Sequence, residues 1–511
     1  MTRSAKGLHH KAGHDPRAAA LLALNRVLDD NTDSQAALDG VLGSIRLVPT
    51  DKRLCTELVY GVLRWYLRLR GFSEYFLAKP DKLPAEMRLV LITALYEMVF
   101  LRVPHHAAVN WAVSHVRNRF GKGLAGVANG ALRSMQRKLS EFHGPGGTSQ
   151  PLHARYAMPK WIATLWAERY GETAAEQLLV ASQTAPPTGL RFNRLKPQWP
   201  ALLKELQGEY ADEASLVEPA LLSFSGPLPW QARTLLKEGR ASRQSGASYA
   251  ALDAFSPADW PLPIWDCCAG RGGKTLALLE QGVAVSLASD PSRQRLSNLG
   301  KEYERITQSP DNVAGKKTVP ASTGSPDSKG HVQNSNTHAP GSNSLVNSDA
   351  SGSAESAPPC MPSLTPPPCP TTLVFDASED GQSLLRELGA MAGPVFGRPV
   401  ALPCFGTILV DAPCSGLGTM ARRPEIRLRR TLEDVERLAA LQREILDSVW
   451  QALLPGGRII YLTCTVSPAE NEDQIAAFLH DHADAKLEKE YRTSFDSPLH
   501  EFFYGACIIK K

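Results

Sequence analysis

The chain has 511 residues, of which 43% are hydrophobic and 21% are charged, and its formal net charge is +4. These values are typical of folded proteins and exclude a wholly disordered, collagen-like or coiled-coil chain. The charge is uneven, because residues 1–150 contain 21 Lys and Arg against 12 Asp and Glu. This basic first part favours a polyanionic partner. At roughly 100–200 residues per domain, we expect about three domains.

The cysteines and the apolar segments indicate in which compartment to expect the protein. The nine cysteines form no CxxC pair, so we expect free thiols and no structural metal. The first residues lack the apolar core of a secretion signal, and no apolar run reaches the roughly 18 residues of a membrane span. We therefore expect a cytoplasmic protein that does not contact a membrane.

The sequence pattern predicts helices in the first part of the chain. After a flexible tail at residues 1–15, residues 16–140 predict an all-α bundle, because apolar residues recur at helical spacing. Asp15 and Pro16 predict its start, since a capping residue precedes a proline in the first helical turn. Residues 141–151 are typical of a linker.

The rest of the chain predicts mixed structure. Residues 152–240 combine helical stretches with a strand at 188–196 and predict a small α+β domain. From 241 to 511, strands alternate with helices, which favours a doubly wound, mostly parallel sheet. Residues 307–370 interrupt this domain with 12 Ser and 11 Pro in 64 residues, and we expect a disordered insertion. The strand-like segments are PIWDCCAG, VAVSLASD, TLVFDAS, TILVDAPC, RIIYLTC and FFYGACIIKK.

A glycine-rich turn follows the first of these strands and opens a helix. Its glycines permit a tight turn and close approach to a ligand, and the helix start offers free N–H groups. Asp290 ends the next strand, where an acid suits ribose hydroxyls. We predict a nucleoside-type cofactor rather than a turn alone, whereas the absence of GxxxxGK[ST] disfavours a nucleotide triphosphatase. The turn comprises Cys268, Ala269, Gly270, Arg271, Gly272, Gly273 and Lys274.

Two further motifs each place a cysteine just beyond a strand. Cys414 lies in Asp-Ala-Pro-Cys-Ser, which begins at Asp411, and Cys464 lies in Thr-Cys-Thr. One free cysteine is more often a small buried hydrophobe, but two at strand ends beside an Asp favour chemistry. A thiolate that adds to carbon 6 of a pyrimidine makes carbon 5 nucleophilic. A carboxylic acid at ring nitrogen 3 would stabilise the adduct, and a second base must later remove the proton on carbon 5.

With these motifs the chain resembles the Sun/Nop-type RNA cytosine-5 methyltransferases, and among them the bacterial RsmB-type enzymes of 16S ribosomal RNA. The stretches DAPCSGLGT, RRPEI and YLTCTVSPAENE carry the likeness in the last domain. ELVYGVLRW, RVPHHAAVNWAV and ANGALR are similar to the NusB-like RNA-binding bundle of that family. PKWIATLW and GLRFNRLK resemble its small RNA-contacting subdomain. The resemblance covers nearly the whole chain apart from the tail and the insertion.

The resemblance implies a role for each motif. Cys464 would be the nucleophile, Cys414 would serve proton removal and product release, and Asp411 would lie at the cytosine ring. S-adenosylmethionine would bind at residues 268–274 together with Asp290, Asp376 and Asp411. The resemblance also implies small-subunit ribosomal RNA as the partner of a monomer without a metal.

The chain departs from the family pattern at two places. The family commonly has Ala-Ala-Pro-Gly-Gly-Lys-Thr in the cofactor turn, where this chain has Gly270 and Arg271 in place of the Ala-Pro pair. The Val-Gln-Asp-Glu stretch of the family is Arg-Gln-Ser-Gly at 243–246. Neither departure removes a catalytic group.

Other interpretations remain open. Five arginines at 421–430 favour contact with RNA over a solvated helix start, and Glu470 and Glu472 are expected to orient the nucleophile loop. A transfer RNA methyltransferase fits the same chemistry. A NusB-like RNA-binding or antitermination factor with an inactive catalytic domain fits the basic bundle. DNA is disfavoured, because DNA enzymes of this chemistry usually carry the nucleophile in a Pro-Cys motif.

Overall fold

The computed structural model describes residues 15–143, 150–308, 365–379, 383–384, 386–387 and 404–511. The predicted tail and insertion lie outside the described residues except at their edges. Within the described residues, no helix is long and apolar enough to cross a membrane.

The helical module, residues 15–143, contains helices and no strand among its described residues, as predicted. The Asp15 carboxylate accepts hydrogen bonds from the N–H groups of Arg17 and Ala18, so it caps the first helix ahead of Pro16. The helices are Pro16–Leu28 (α1), Ser34–Ser44 (α2), Pro49–Tyr75 (α3), Ala85–Phe100 (α4), His105–Phe120 (α5), Lys122–Arg137 (α6) and Leu139–His143 (α7).

The small domain, residues 150–245, contains a four-stranded antiparallel sheet in the order β2-β3-β1-β4. Sequence patterns predicted only the first of these strands. The fourth lies just beyond residue 240 and pairs with the first. The strands are Thr188–Phe192 (β1), Ala214–Val217 (β2), Leu221–Phe224 (β3) and Ala241–Arg243 (β4). The helices are Leu152–Arg155 (α8), Lys160–Tyr170 (α9), Glu172–Gln183 (α10), Trp199–Glu209 (α11) and Trp230–Lys237 (α12).

The C-terminal domain, residues 246–511, is built on a seven-stranded sheet, and the prediction of a mostly parallel sheet is confirmed. The strands are Ile264–Asp266 (β5), Leu287–Ser289 (β6), Thr371–Leu373 (β7), Phe405–Asp411 (β8), Leu453–Thr463 (β9), Ala485–Arg492 (β10) and Tyr504–Lys510 (β11). Helices lie at Gly246–Asp253 (α13), Gly273–Glu280 (α14), Arg293–Thr307 (α15), Ile426–Arg429 (α16), Leu432–Ala452 (α17) and Glu472–Asp481 (α18). Single 3₁₀ turns lie at Pro80–Lys82, Pro257–Asp259, Leu417–Thr419 and Pro468–Glu470.

The strand order of this sheet locates its ligand cleft. The order is β10-β11-β9-β8-β5-β6-β7, and the five strands from β9 to β7 are parallel. The chain runs outward from β5 through β6 to β7 and then returns to the other side of β5 with β8. Ligands bind beyond the carboxyl ends of the strands at such a switch point. The cleft therefore lies beyond the ends of β5 and β8.

Arg427 and Arg429 of the arginine-rich segment 421–430 join the domains, which corrects the expectation of RNA contact for these two residues, whereas it stays a prediction for the other three arginines. Arg427 is only 1% exposed. Its guanidinium donates hydrogen bonds to the carbonyl oxygens of Arg64 in α3 and Ser182 in α10, at 3.0 and 2.7 Å. Arg429 donates to the carbonyl oxygens of Val27 and Thr32 in the helical module. These side chains satisfy buried carbonyl groups where the domains meet, so they are not available to phosphates.

We predict that Arg427→Met weakens the docking of the domains. The substitution removes the donor for the Arg64 and Ser182 carbonyls, and an unsatisfied buried group costs about 1–3 kcal/mol. Relief of the buried charge offsets part of this cost, so we expect the free energy of unfolding to fall by about 2 kcal/mol. Denaturant unfolding measures the change. Arg437→Met, at a site whose side chain is 63% exposed, is the control, and an equal effect of both would contradict the account.

Candidate active site

The two motif cysteines meet at the ends of neighbouring strands. Because β8 and β9 are adjacent and parallel, their following turns lie side by side. The sulfur atoms of Cys414 and Cys464 are 3.2 Å apart, and the backbone N–H of Cys464 donates to the Cys414 sulfur at 3.4 Å. The cleft therefore holds both thiols within reach of one bound group.

The buried carboxylate of Glu470 links the two cysteine turns through hydrogen bonds. It accepts hydrogen bonds from the backbone N–H and the hydroxyl of Ser415, which follows Cys414, and from the hydroxyl of Thr465, which follows Cys464. Burial raises the pKa of Glu470 despite these hydrogen bonds. Glu470 thus takes the orienting position predicted for it, whereas Glu472 forms an ion pair with Arg492.

Two amide side chains also hold the cysteine turns by hydrogen bonds. Sequence patterns did not assign them a role. Asn471 accepts a hydrogen bond from the Thr463 hydroxyl at 2.6 Å and donates to the Thr465 carbonyl at 3.0 Å, so it holds both neighbours of Cys464. Gln442 of α17 donates to the Pro413 carbonyl and to Glu470. Asn471 follows Glu470 in the quoted motif, but no local signal marks Gln442 in the middle of a helix.

An ion pair lies beside the two thiols. The Lys274 Nζ atom is 2.6 Å from the Asp411 carboxylate, so the pair joins the glycine-rich turn to the end of β8. Burial lowers the pKa of Lys274, but Asp411 outweighs burial, and the pKa is raised overall. Among the described residues, no group of three or more His, Cys, Asp or Glu side chains could hold a metal ion.

The environments of the two thiols differ. The hydrogen bond from Cys414 lowers the pKa of Cys464, and the positive charges of Lys274 and Arg423 lower it further against the effects of burial and Asp411. The same hydrogen bond and burial raise the pKa of Cys414 well above the usual thiol value. The thiolate therefore forms preferentially at Cys464, and the thiolate is the nucleophilic form.

The glycine-rich turn has the shape of a ligand cradle. Gly270 and Gly272 have φ values of +57° and +85°, which a residue with a side chain rarely adopts. A Cβ atom on Gly273 would meet no atom within 4 Å, so space remains above the turn. One oxygen of Asp266 accepts a hydrogen bond from the Thr275 hydroxyl, whereas its other oxygen, Oδ1, is buried without a hydrogen-bond partner among the described residues. Burial raises the pKa of Asp266 to about 7.

The remaining predicted cofactor residues lie along the same edge of the sheet. Asp290 follows β6, and its carboxylate accepts hydrogen bonds from the N–H groups of Gly270 and Ser292. Asp376 follows β7 and accepts from the N–H and hydroxyl of Ser378. Strand β6 neighbours β5 and β7 neighbours β6, so both acids follow strands on the same side of the switch point, and their contact with a cofactor stays a prediction.

Helices α9 and α10 of the small domain pack against the cysteine turns. Their buried side chains share one apolar cluster with Leu417, Val466 and Phe502. The Trp166 indole N–H donates to the carbonyl of Val466 at 2.8 Å, two residues after Cys464. The C-terminal domain therefore relies on the small domain to fix the turn that carries the low-pKa thiol.

Comparison with known families covers all three parts of the chain. Residues 395–499 match the family described as 16S rRNA methyltransferase RsmB/F. Residues 14–137 match the NusB family, and residues 158–221 match the ferredoxin-like domain of RsmF/B-like methyltransferases. These matches define a methyltransferase of the RsmB/F type with a NusB-like first domain.

Comparison with individual relatives identifies the family within this class of methyltransferases. Over 445 residues the chain is 31% identical to ribosomal RNA small subunit methyltransferase B of Shewanella oneidensis, covering 86% of this chain and 83% of the relative. It is 29% identical over 476 residues to the protein of the same name from Vibrio cholerae, covering 92% and 90%. The crystal structure of PH0851 shares the fold with a TM-score of 0.64 at 19% identity over the whole of both chains. The chain belongs to the ribosomal RNA small subunit methyltransferase B family.

We predict that Glu470→Ala slows methyl transfer by roughly a hundredfold, the scale on which catalytic rates respond to small misplacements. The two cysteine turns would separate, and the pKa of Cys464 would rise because the hydrogen bond from Cys414 is lost. The pH dependence of Cys464 alkylation should therefore shift upward, which a general loss of stability would not produce.

Two further variants test this positioning role. Glu470→Gln keeps an oxygen for the Ser415 N–H and should restore much of the rate. Asp473→Ala, at a carboxylate that is 57% exposed three residues away, should match the wild type. Unchanged Cys464 alkylation in Glu470→Ala would show that Glu470 does not position the thiols.

Proposed function

We propose that the protein transfers a methyl group from S-adenosylmethionine to carbon 5 of a cytosine in small-subunit ribosomal RNA. The observation that carries the proposal is the pair of thiols 3.2 Å apart beside the Lys274–Asp411 ion pair. The names of the relatives support the choice of RNA. The basic composition of residues 1–150 agrees with a polyanionic substrate.

The reaction begins at Cys464, because its pKa is the one that the site lowers. Its thiolate adds to carbon 6 of the ring, and the electrons of the carbon 5–carbon 6 double bond become available at carbon 5. Asp411, as a carboxylic acid, would donate a hydrogen bond to ring nitrogen 3 and stabilise this adduct. Lys274 fixes the carboxylate in place at 2.6 Å.

The cofactor cleft fits the proposed methyl donor. S-adenosylmethionine, when bound, supplies an electrophilic methyl group for the activated carbon 5. The turn at residues 268–274 offers open backbone, and the unpartnered Oδ1 of Asp266 can accept a hydrogen bond from a cationic or N–H group. Asp290 and Asp376 would accept hydrogen bonds from the ribose hydroxyls.

Cys414 then completes the reaction. While Cys464 is a thiolate, its hydrogen bond and its charge oppose ionisation of Cys414, together with burial. Once the Cys464 sulfur is bonded to carbon 6, that charge is gone and Cys414 ionises more readily. The Cys414 thiolate takes the proton from carbon 5, the double bond re-forms, and the bond to Cys464 breaks.

The test is to map 5-methylcytosine in small-subunit RNA incubated with the purified protein and S-adenosylmethionine. Bisulfite sequencing should show one cytosine protected from conversion. Transfer RNA in a parallel reaction tests the alternative substrate. Cofactor binding without methylation of either RNA would favour an RNA-binding factor with an inactive catalytic domain.

We predict opposite outcomes for the two cysteines. Cys464→Ala should abolish methylation, because it removes the thiol whose pKa the site lowers. Cys414→Ala should retain adduct formation but lose release, so a protein–RNA species stable to denaturing electrophoresis should accumulate. Cys507→Ala, at a buried thiol on β11, is the control and should turn over normally. Full turnover by Cys414→Ala would contradict its release role.

We also predict that Lys274→Met raises the pKa of Cys464. Removal of the cation destabilises the thiolate and leaves the Asp411 charge uncompensated, and both effects act in the same direction. Alkylation by iodoacetamide in the absence of cofactor should inflect at higher pH by about one unit and slow about tenfold at neutral pH. Lys301→Met, on the exposed face of α15, should leave the profile unchanged. Identical profiles for Lys274→Met and wild type would refute this electrostatic role.

A further inference from the structure

A second basic site lies outside the methyl-transfer cleft. A cavity of about 360 Å³ opens where the small domain meets the C-terminal domain. We call it the arginine cavity, because four arginines contribute to its wall. Its lining residues are Arg191, Leu236, Ser242, Arg243, Arg271, Gly273, Leu276, Glu302 and Arg305.

Two of the four arginines are held by the fold. The Arg191 Nε atom donates to the buried carboxylate of Glu280 at 2.7 Å, and both side chains are at most 4% exposed. Arg305 pairs with Glu302 at 2.8 Å and also donates to the carbonyl oxygens of Leu236 and Ala241. These contacts make the wall rigid, and most of the charge of these arginines is already balanced.

The other two arginines are available to a ligand. Arg243 at the end of β4 and Arg271 in the glycine-rich turn are both exposed. Neither forms an ion pair with any residue in the described part of the chain. Arg271 also stands where related enzymes commonly have proline, so this charge is a departure of this chain from the family pattern. The cavity wall therefore carries two unbalanced guanidinium groups from two domains.

The arginine cavity adjoins the methyl-transfer cleft and shares the glycine-rich turn with it, through Arg271 and Gly273. Asp290, Asp411 and Cys464 are absent from its lining. Gly273 lines the cavity, whereas the next residue, Lys274, contacts Asp411 in the cleft. Adjacent residues of one turn therefore face the cavity and the cleft.

We propose that the arginine cavity binds a backbone phosphate of the RNA strand next to the target nucleotide. Guanidinium groups match phosphate oxygens with paired hydrogen bonds, and Arg243 and Arg271 would supply them. Leu236 and Leu276 offer an apolar surface to the adjoining ribose. A target base must leave its stack to enter a methyl-transfer cleft, so a phosphate held beside that cleft would fix the strand for the entry.

This proposal rests on the proposed function only in taking RNA as the substrate. The measurement is the affinity of the full-length protein for unmodified small-subunit RNA at several salt concentrations, without S-adenosylmethionine. Arg243→Gln and Arg271→Gln should each weaken binding roughly tenfold at low salt, as expected for loss of a charge-assisted hydrogen bond. Each should also reduce the slope of log K against log salt by about one.

One further variant is a matched control, and another should change the RNA affinity in the opposite direction. Arg233→Gln removes the same charge from an exposed position on α12 that does not line the cavity, and it should bind RNA like the wild type. Glu302→Gln removes the one carboxylate among the described lining residues and should tighten binding.

The results of these measurements distinguish the phosphate-binding proposal from a cofactor role of the cavity and from a failure of the proposed function. If Arg243→Gln and Arg271→Gln bind RNA with wild-type affinity and salt slope, the proposal is overturned. If RNA binding is unchanged and Arg271→Gln weakens S-adenosylmethionine binding by calorimetry, the cavity serves the cofactor carboxylate instead. If the variants lose RNA affinity as predicted but the wild type makes no 5-methylcytosine, the phosphate site stands and the methyl-transfer proposal fails.

Discussion

The active centre depends on the close approach of two turns that leave the neighbouring strands β8 and β9. Parallel pairing brings the turns to one edge, but it does not by itself set a 3.2 Å separation between two sulfur atoms. Buried hydrogen bonds through Glu470 and Asn471 do so. In a poorly solvated site these bonds leave little freedom, because each broken bond would leave an unsatisfied buried group.

The same turns are supported from outside their own domain. Trp166 holds the backbone just after Cys464, and Arg427 ties the segment after Cys414 to the helical module and to α10. The three parts of the chain therefore form one support for the thiols.

Much of this arrangement was predictable from sequence, and the exceptions have physical causes. Apolar spacing predicted the helical bundle, and the strand-like segments marked β5, β6, β7, β8, β9 and β11. Strand β10 was missed because it lies at the sheet edge and its exposed side chains are mostly charged. The small sheet was largely missed because its strands are only three to five residues long.

The residues of the active site also divide into those that the sequence predicted and those that it did not. The cysteines, the glycine-rich turn and Glu470 lie in contiguous motifs, so their positions followed once the strands were placed. Gln442 and the Lys274–Asp411 pair depend on contacts between distant segments, which no local pattern reveals. Two of the five arginines at 421–430 were misinterpreted because charge in a sequence suggests exposure, whereas their apolar neighbours Ile426 and Leu428 draw them into the domain junction.

The most direct test of covalent catalysis by Cys464 uses small-subunit RNA that contains 5-fluorocytosine. Fluorine at carbon 5 cannot be removed as a proton, so the ring should remain bonded to the nucleophile after methyl transfer. Mass spectrometry of the digested complex should place the modified nucleotide on the peptide that contains Cys464. Attachment at Cys414, or methylation of ordinary RNA without any trapped adduct on the fluorinated RNA, would contradict the account.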